Sequence, residues 1–404
     1  MKILFYNHTG KVSGAERVLL MIVGGLDRSR FDPVVLCPLD GRLIERVSEL
    51  GVRTTSIQSL EARFTMRVDL LAKYVASFVR LVRAARTTVI NEAPDLIHAN
   101  SIRAGLVMSA ATFGLSAPVI WHVHDLLPRH PLSTAIRLFA WAWRRNRVVA
   151  VSHAVARQFE GRLGRAFRGR VETIYNAVDL ERFFQDPQRR RETRRALGLE
   201  AKTVVGIVGQ LTPRKGQLEL IEAFAELARK VPDTALLVVG EPLFNRDGEY
   251  AKSLSRAADR SGVADRIHFL GAREDIPAIM RALDLLVVNS RVEPFGLTVI
   301  EAMASGTPVL ATAVDGINEI VRHGENGWLV PARDQQRLAE AMLFLLGDQN
   351  LREQLGTHGR RDAVARFSIE RFATEIHSFY RTVLESGTTP HENARRLEVK
   401  LSAD

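Results

Sequence analysis

Short, uniformly apolar runs recur along the chain, each followed by a loop and a longer amphipathic stretch. Residues 2–7 (KILFYN), 31–38 (FDPVVLCP), 52–57, 94–101 (PDLIHANS), 118–124 (PVIWHVH) and 148–152 (VVAVS) carry this pattern in the first half. Residues 204–208, 235–240, 267–271, 283–288 and 309–311 repeat it in the second. Runs this evenly apolar suit strands covered on both faces, as in parallel sheets. Between them lie helical patterns, among them VLLMIVGGL after Arg17, residues 40–50, a long basic stretch over 66–90, and residues 218–229. Strand and helix alternating through both halves predicts two Rossmann-like, doubly wound α/β domains. The domains are expected at 1–179 and 200–366, joined by a polar linker at 180–199. A last helix is expected over 367–385, with a flexible polar tail from 386 to 404.

The most informative stretch is 289–331, NSRVEPFGLTVIEAMASGTPVLATAVDGINEIVRHGENGWLVP. It predicts the end of a buried strand, a loop, a helix from Gly296 to Ala304, a second strand after Pro308, and a Gly-rich turn. A helix whose N-terminus faces a strand's carboxyl edge is an anion site. Two carboxylates, Glu293 and Glu301, are spaced E-x7-E across the loop and helix, and Pro294, Phe295 and Gly296 follow the first. Either acid alone would be ordinary capping or a solvated helix face. Together with the backbone N–H groups of Phe295, Gly296 and Leu297 they mark a site. A second candidate lies after the run 204–208, where Arg214 and Lys215 precede the helix at 218.

The segments EPFG, EAMASGTPV and GENGWLV resemble the signature of the retaining glycosyltransferases of family 4. The resemblance covers residues 1 to about 385 and implies the GT-B architecture, two Rossmann-like domains facing across a cleft, with the helix over 367–385 returning to the N-terminal domain. It implies that Glu293 contacts the donor sugar or supports charge on its ring, and that Glu301 binds the ribose hydroxyls. Arg214 and Lys215 fall where the family's "GRL…KG" loop meets the donor diphosphate, with Gln210 standing where arginine is common. Arg273 follows the run 267–271, where the family holds the nucleotide base mainly by backbone. His124–Asp125 matches the family's His-Asp at a strand end, whose histidine faces the transferred sugar; His122 is expected to point to the opposite face. Ser13-Gly14-Ala15-Glu16 is similar to the family's "GGxE" loop, with Gly14 the candidate for close approach to a phosphate or the acceptor. Ser13 and Glu16 also have capping-box spacing, and Glu16 is assigned mainly to that.

Charge sharpens the picture. Residues 1–178 hold 25 Lys+Arg against 13 Asp+Glu, a net of +12, whereas 179–404 hold 31 against 33. All the excess positive charge is in the first half, which suggests an anionic surface as partner or, more plainly, an arginine-rich proteome. The stretch 135–147 (AIRLFAWAWRRNR) sets Phe139, Trp141 and Trp143 beside arginines, as suits a bilayer headgroup region or a core-facing aromatic pair. One cysteine, Cys37, excludes an intrachain disulfide framework. The N-terminus is expected to be a strand rather than a signal peptide, and no apolar run nears the ~20 residues needed to cross a bilayer. The chain is therefore expected in the cytoplasm, with the inner membrane face as a docking surface.

The sequence has no D-x-D pair and no His/Cys cluster with ligand spacing, so no metal or cofactor is expected beyond a UDP- or GDP-sugar as substrate. Arg214, Lys215 and the helix N-terminus after Gly296 would then stabilise the departing diphosphate. The acceptor is expected to be a glycan or lipid-linked. Three other readings remain: a nucleotide-sugar epimerase or phosphorylase of the same fold, a non-catalytic scaffold, and a nucleic-acid-binding protein. No recognisable nucleic-acid module supports the last.

Overall fold

The computed structural model describes residues 1–59, 68–128, 130–242 and 247–387, with backbone alone at 68–72, 162–163 and 386–387. The chain divides into two compact units. One is Met1–Tyr175 together with the segment from Glu370 onward; the other is Asn176–Ile369.

In the first unit the apolar runs form β1 (Lys2–Tyr6), β2 (Asp32–Cys37), β3 (Arg53–Ser56), β4 (Leu96–Ala99), β5 (Val119–Val123), β6 (Asn146–Ala150) and β7 (Val171–Thr173). They pair in parallel in the order β3-β2-β1-β4-β5-β6-β7. Ile3 to Tyr6 and Leu96 to Ala99 are wholly buried, which is why these strands lack polar alternation. The strand order reverses between β1 and β4, and doubly wound sheets open a crevice at such a point, beyond the carboxyl ends of the strands.

The second unit repeats the plan with β8 (Thr203–Val208), β9 (Thr234–Val239), β10 (Ile267–Gly271), β11 (Leu285–Val288), β12 (Val309–Thr312) and β13 (Trp328–Val330). The order is β10-β9-β8-β11-β12-β13, again all parallel, and reverses between β8 and β11. The Gly-rich turn expected at the end of the 289–331 stretch leads into a strand: Trp328 to Val330 pair with Leu310 to Thr312.

The tract 180–199, read from sequence as the linker, lies in the second unit and contains the helix Pro187–Ala196. No residue of that helix is buried, so hydrophobic patterning could not reveal it. It is held by charge: Arg190 Nη2 lies 2.5 Å from Asp284 Oδ1, and Arg194 pairs with the other oxygen of the same carboxylate. Asp284 also accepts the Val204 amide at 2.7 Å, which anchors the helix to the start of β8.

The long basic helix runs Val68–Glu92. Arg67 and the stretch before it lie outside the described residues. Leu81, Ala85 and Val89 are buried, whereas Val75, Val79 and Ile90 are exposed. One of its arginines closes the carbonyl end of the neighbouring helix Ile102–Ala111, with Arg86 Nη1 donating to Ala111 O (2.9 Å) and Phe113 O (2.7 Å). Phe139 stacks against Trp143 with ring centroids 4.4 Å apart, and Phe113 meets Trp143 edge-on at 5.8 Å. Phe113 and Trp143 line a cavity of about 400 Å³ together with Arg144 and Arg145.

The last helix, Ile369–Gly387, runs two residues into the segment expected as tail; residues 388–404 lie outside the described residues. From Glu370 on it belongs to the first unit, where Tyr380 is fully buried and its hydroxyl lies 2.8 Å from His98 Nδ1.

Candidate functional site

The loops at the two reversal points gather most of the residues singled out from sequence. In the second unit, β8 ends at Val208 and the chain passes through a short 3-10 turn, Pro213–Lys215, to Gly216. Gly216 has φ +66°, and a Cβ there would lie 2.3 Å from Asn289 O. Both the left-handed backbone and this contact demand glycine. The contact is the stitch that joins two loops: Asn289 Nδ2 donates to Gly216 O (2.9 Å), and the Arg291 amide donates to Arg214 O (2.8 Å). The loop after β8 is thus fastened to the loop after β11.

This stitching brings Lys215 Nζ to 2.5 Å from Glu293 Oε2, with both side chains mostly buried. Ser290 Oγ donates to the same carboxylate oxygen at 2.9 Å. The backbone of Glu293 is fixed from a third loop, its amide donating to Asp315 Oδ2 (3.0 Å) and its carbonyl accepting from the Gly316 amide (3.1 Å). Burial would raise the carboxyl pKa, but the charge and hydrogen bond of Lys215, the charge of Arg214 and the Ser290 hydroxyl outweigh it. The net effect holds Glu293 below its ordinary value. Glu293 is therefore a carboxylate fixed in position and orientation.

Immediately beyond it, Phe295 is buried against Phe367 at 5.9 Å, and Gly296 takes φ +118° to turn the chain into the helix Leu297–Ala304. Its N-cap residue, Gly296, has no side chain to cap it, and its first amides lie at the carboxyl edge of β11. Glu301 lies one turn in and is buried. The loop after β8 also holds Gln210, whose Nε2 donates to Asp247 Oδ2 at 2.9 Å. Gln210 is thus engaged within the unit. Arg273 stands apart, beyond the carboxyl end of edge strand β10, where Asp275 holds its exposed guanidinium in a two-pronged pair at 2.8 and 2.7 Å.

The first unit has its own cluster at the β1/β4 reversal. Ser13 and Glu16 form the expected capping box at the start of the helix Gly14–Gly24, where Gly14 is half-buried. Glu16 does more than cap, because its Oε1 accepts from Asn7 Nδ2 (3.1 Å). Asn7 Oδ1 accepts from Asn100 Nδ2 (3.0 Å), and Asn100 Oδ1 meets His124 Nε2 at 2.9 Å. Burial pushes the His124 pKa down to about 3, so its ring is neutral near pH 7. His8, beside Ser101 Oγ at 3.0 Å, is lowered to about 4, first by burial and then by the Arg103 charge, against the opposing pull of Asp40.

His122 does not face away from His124. Residues two apart along a strand share a face, and the two rings lie 4.1 Å apart. His122 Nδ1 in turn meets His98 Nε2 at 3.2 Å, so a buried file of rings runs from Tyr380 through His98 and His122 to His124. Sequence reading missed Asn7, Asn100, His8 and Ser290. Their available signal was position: Asn7, His8 and Asn100 are polar residues ending the apolar runs of β1 and β4.

Residues 189–362 match the profile of glycosyl transferases group 1, and residues 12–182 match that of glycosyltransferase family 4. The chain belongs to this family of GT-B glycosyltransferases. Anabaena HepE, solved in complex with UDP-glucose, is 30% identical over 95% of this chain and 100% of that one, with a TM-score of 0.81. The D-inositol 3-phosphate glycosyltransferase of Corynebacterium urealyticum is 35% identical over 224 residues, 54% of this chain and 52% of that protein. A GDP-mannose-dependent alpha-(1-6)-phosphatidylinositol monomannoside mannosyltransferase of Mycobacterium tuberculosis is 32% identical over 220 residues, 52% of this chain and 56% of that protein. The alignments thus span about half the length of these curated relatives.

Proposed function

We propose that this chain transfers a sugar from a nucleotide diphosphate sugar to a glycan or lipid-linked acceptor, with retention at the anomeric carbon. The observation that carries this reading is the Lys215–Glu293 pair, buried and built from three loops at the reversal point of the second sheet. Lysine here meets the donor diphosphate and exchanges its carboxylate partner for phosphate oxygens. Glu293 is then released toward the sugar hydroxyls or the charge growing on the ring. Arg214 and the N-terminus of the helix Leu297–Ala304 share the negative charge of the departing nucleotide, with no metal required. Glu301 binds the ribose, the loop at Arg273 holds the base through its backbone, Gly14 admits a phosphate or the acceptor, and His124 faces the transferred sugar.

The donor is a UDP- or GDP-sugar. HepE binds UDP-glucose and the mycobacterial relative depends on GDP-mannose, so both nucleotides occur among similar proteins. Calorimetric titration with UDP and with GDP, in EDTA and in Mg²⁺, tests the reading. Metal-independent binding of one nucleotide, weakened roughly ten- to a hundredfold in Lys215→Ala, is the expected result. Binding of neither would favour a non-catalytic scaffold, and product formed without acceptor, or only with phosphate, would favour an epimerase or phosphorylase.

Among the described residues no helix is long and apolar enough to cross a membrane. We place the chain at the cytoplasmic membrane face, because the +12 half also exposes Val75, Val79, Phe113, Leu138 and Trp141. Co-sedimentation with anionic vesicles at low salt tests this, and failure to sediment would remove the membrane from the reading.

A further inference from the structure

The chain of side chains behind His124 has a direction that cannot be reversed. Asn7 Nδ2 donates to two acceptors, Thr9 O at 2.6 Å and the Glu16 carboxylate at 3.1 Å. Flipping that amide would set its oxygen against two other oxygens, so Asn7 Oδ1 must face Asn100. Asn100 Nδ2 donates to that oxygen at 3.0 Å and to Ala15 O at 3.1 Å, and a backbone carbonyl can only accept. Asn100 is fully buried and is fixed in turn, with Oδ1 toward His124. An amide oxygen also only accepts, so the His124 nitrogen 2.9 Å from it, Nε2, must carry the proton. A neutral imidazole holds one proton, so Nδ1 carries the lone pair. The His122 ring packs against it at 4.1 Å, tilted by 40°, and restrains its rotation; among the described residues Nδ1 takes no partner.

We infer that Asn100 is a positioning residue that locks His124 in the Nε2–H tautomer, so that Nδ1 accepts a hydrogen bond from a hydroxyl of the bound sugar. A lone pair at Nδ1 repels phosphate and carbonyl oxygens and selects a donor, which on a transferred glucose or mannose means a hydroxyl. The hydroxyl part rests on the glycosyl-transfer reading; the tautomer and its cause do not.

The test uses the full chain labelled with ¹⁵N-histidine, with His124 assigned by its loss in His124→Gln. At pH 7 the two-bond ¹H–¹⁵N spectrum of the unsubstituted protein should show a protonated Nε2 and a lone-pair Nδ1. A protonated Nδ1, or an average of the two forms, overturns the inference. The tautomer is read in the unsubstituted protein, and His124→Gln serves only to assign the resonance. In Asn100→Asp the new carboxylate should stabilise the imidazolium, and His124 should titrate at a clearly higher pH than in the parent chain. An unchanged His124 titration would show that Asn100 does not govern the ring.

Titrating UDP-glucose or GDP-mannose should move the Nδ1 resonance, whereas UDP or GDP alone should leave it in place. A shift produced equally by the nucleotide alone would overturn the hydroxyl assignment. Transfer should fall at least about tenfold in kcat for Asn100→Asp, with nucleotide affinity kept within about twofold. Unchanged kcat would overturn the positioning role. If calorimetry found no nucleotide bound at all while the spectrum showed Nε2–H, the transferase reading would fail and the tautomer assignment would stand.

Discussion

Lys215 and Glu293 form a buried ion pair across the β8/β11 reversal, and a third loop fixes the backbone of the acid. Removing either partner therefore has two separable effects. Lys215→Ala takes away a charge that meets the diphosphate and leaves a buried carboxylate uncompensated. Loss of one charge-assisted contact costs about 1.5–3 kcal/mol, or roughly ten- to a hundredfold in nucleotide affinity. Glu293→Gln should instead abolish turnover while keeping nucleotide binding, since the amide preserves shape and Lys215 stays in place. Calorimetry alongside a radiolabelled transfer assay reads both, and near-normal turnover in Glu293→Gln would remove that residue from the chemistry.

The same pair sets an acid limb in stability. The Glu293 pKa is lowered on folding, so its contribution is full above the ordinary carboxylate pKa, about 4.3. It is lost as pH falls through the lower folded value. Glu293→Gln should flatten the drop of Tm below about pH 4.5. An identical acid limb in the two proteins would show that the pair contributes nothing net.

The buried rings of the first unit act at higher pH. Burial lowers His98 to about 3, with repulsion from His124 adding to it, and places His122 well below its ordinary 6.5. Below that value an unfolded chain takes up protons that the folded rings refuse, so stability falls as pH drops from about 6.5 toward about 3. Thermal scans between about pH 7 and 5 should show this slope, and His122→Phe should reduce it whatever its effect on absolute Tm. A slope unchanged by His122→Phe would remove that ring from the account.

Gly216→Ala tests the stitch between the loops. The methyl group would meet Asn289 O at 2.3 Å on a left-handed backbone, and the backbone term alone costs roughly 1–2 kcal/mol. The expected outcome is a lowered Tm together with weakened nucleotide binding, because Lys215 is the neighbouring residue. Gly198→Ala is a fair control, since its φ is +67° and nothing lies within 4 Å of the added carbon. Equal loss of nucleotide binding in both variants would mean that the contact with Asn289 does not matter.

The strands were legible because double-faced burial leaves a plain apolar signature, as at Ile3 to Tyr6. Glu293 and Lys215 were legible from motif, although their contact joins residues 78 positions apart. What escaped is polar and long-range. Asn7 and Asn100 meet across 93 positions, and neither stands out until the strand order makes β1 and β4 neighbours. The helix Pro187–Ala196 escaped because its attachment to Asp284 is electrostatic and leaves no apolar stripe. The misplaced face of His122 had a simpler cause, a strand period of two applied the wrong way round.

The Tyr380–His98 bond has a consequence for how the chain is made. The first unit is discontinuous, and its closing helix leaves the ribosome only after all of Asn176–Ile369 has been synthesised. Until then β4 has emerged without the hydroxyl that satisfies His98, and the sheet surface at Phe31 lacks the rings of His377 and Tyr380. The second unit, continuous in sequence, has no such wait. The order of completion during synthesis is therefore the reverse of the order of the genetic message.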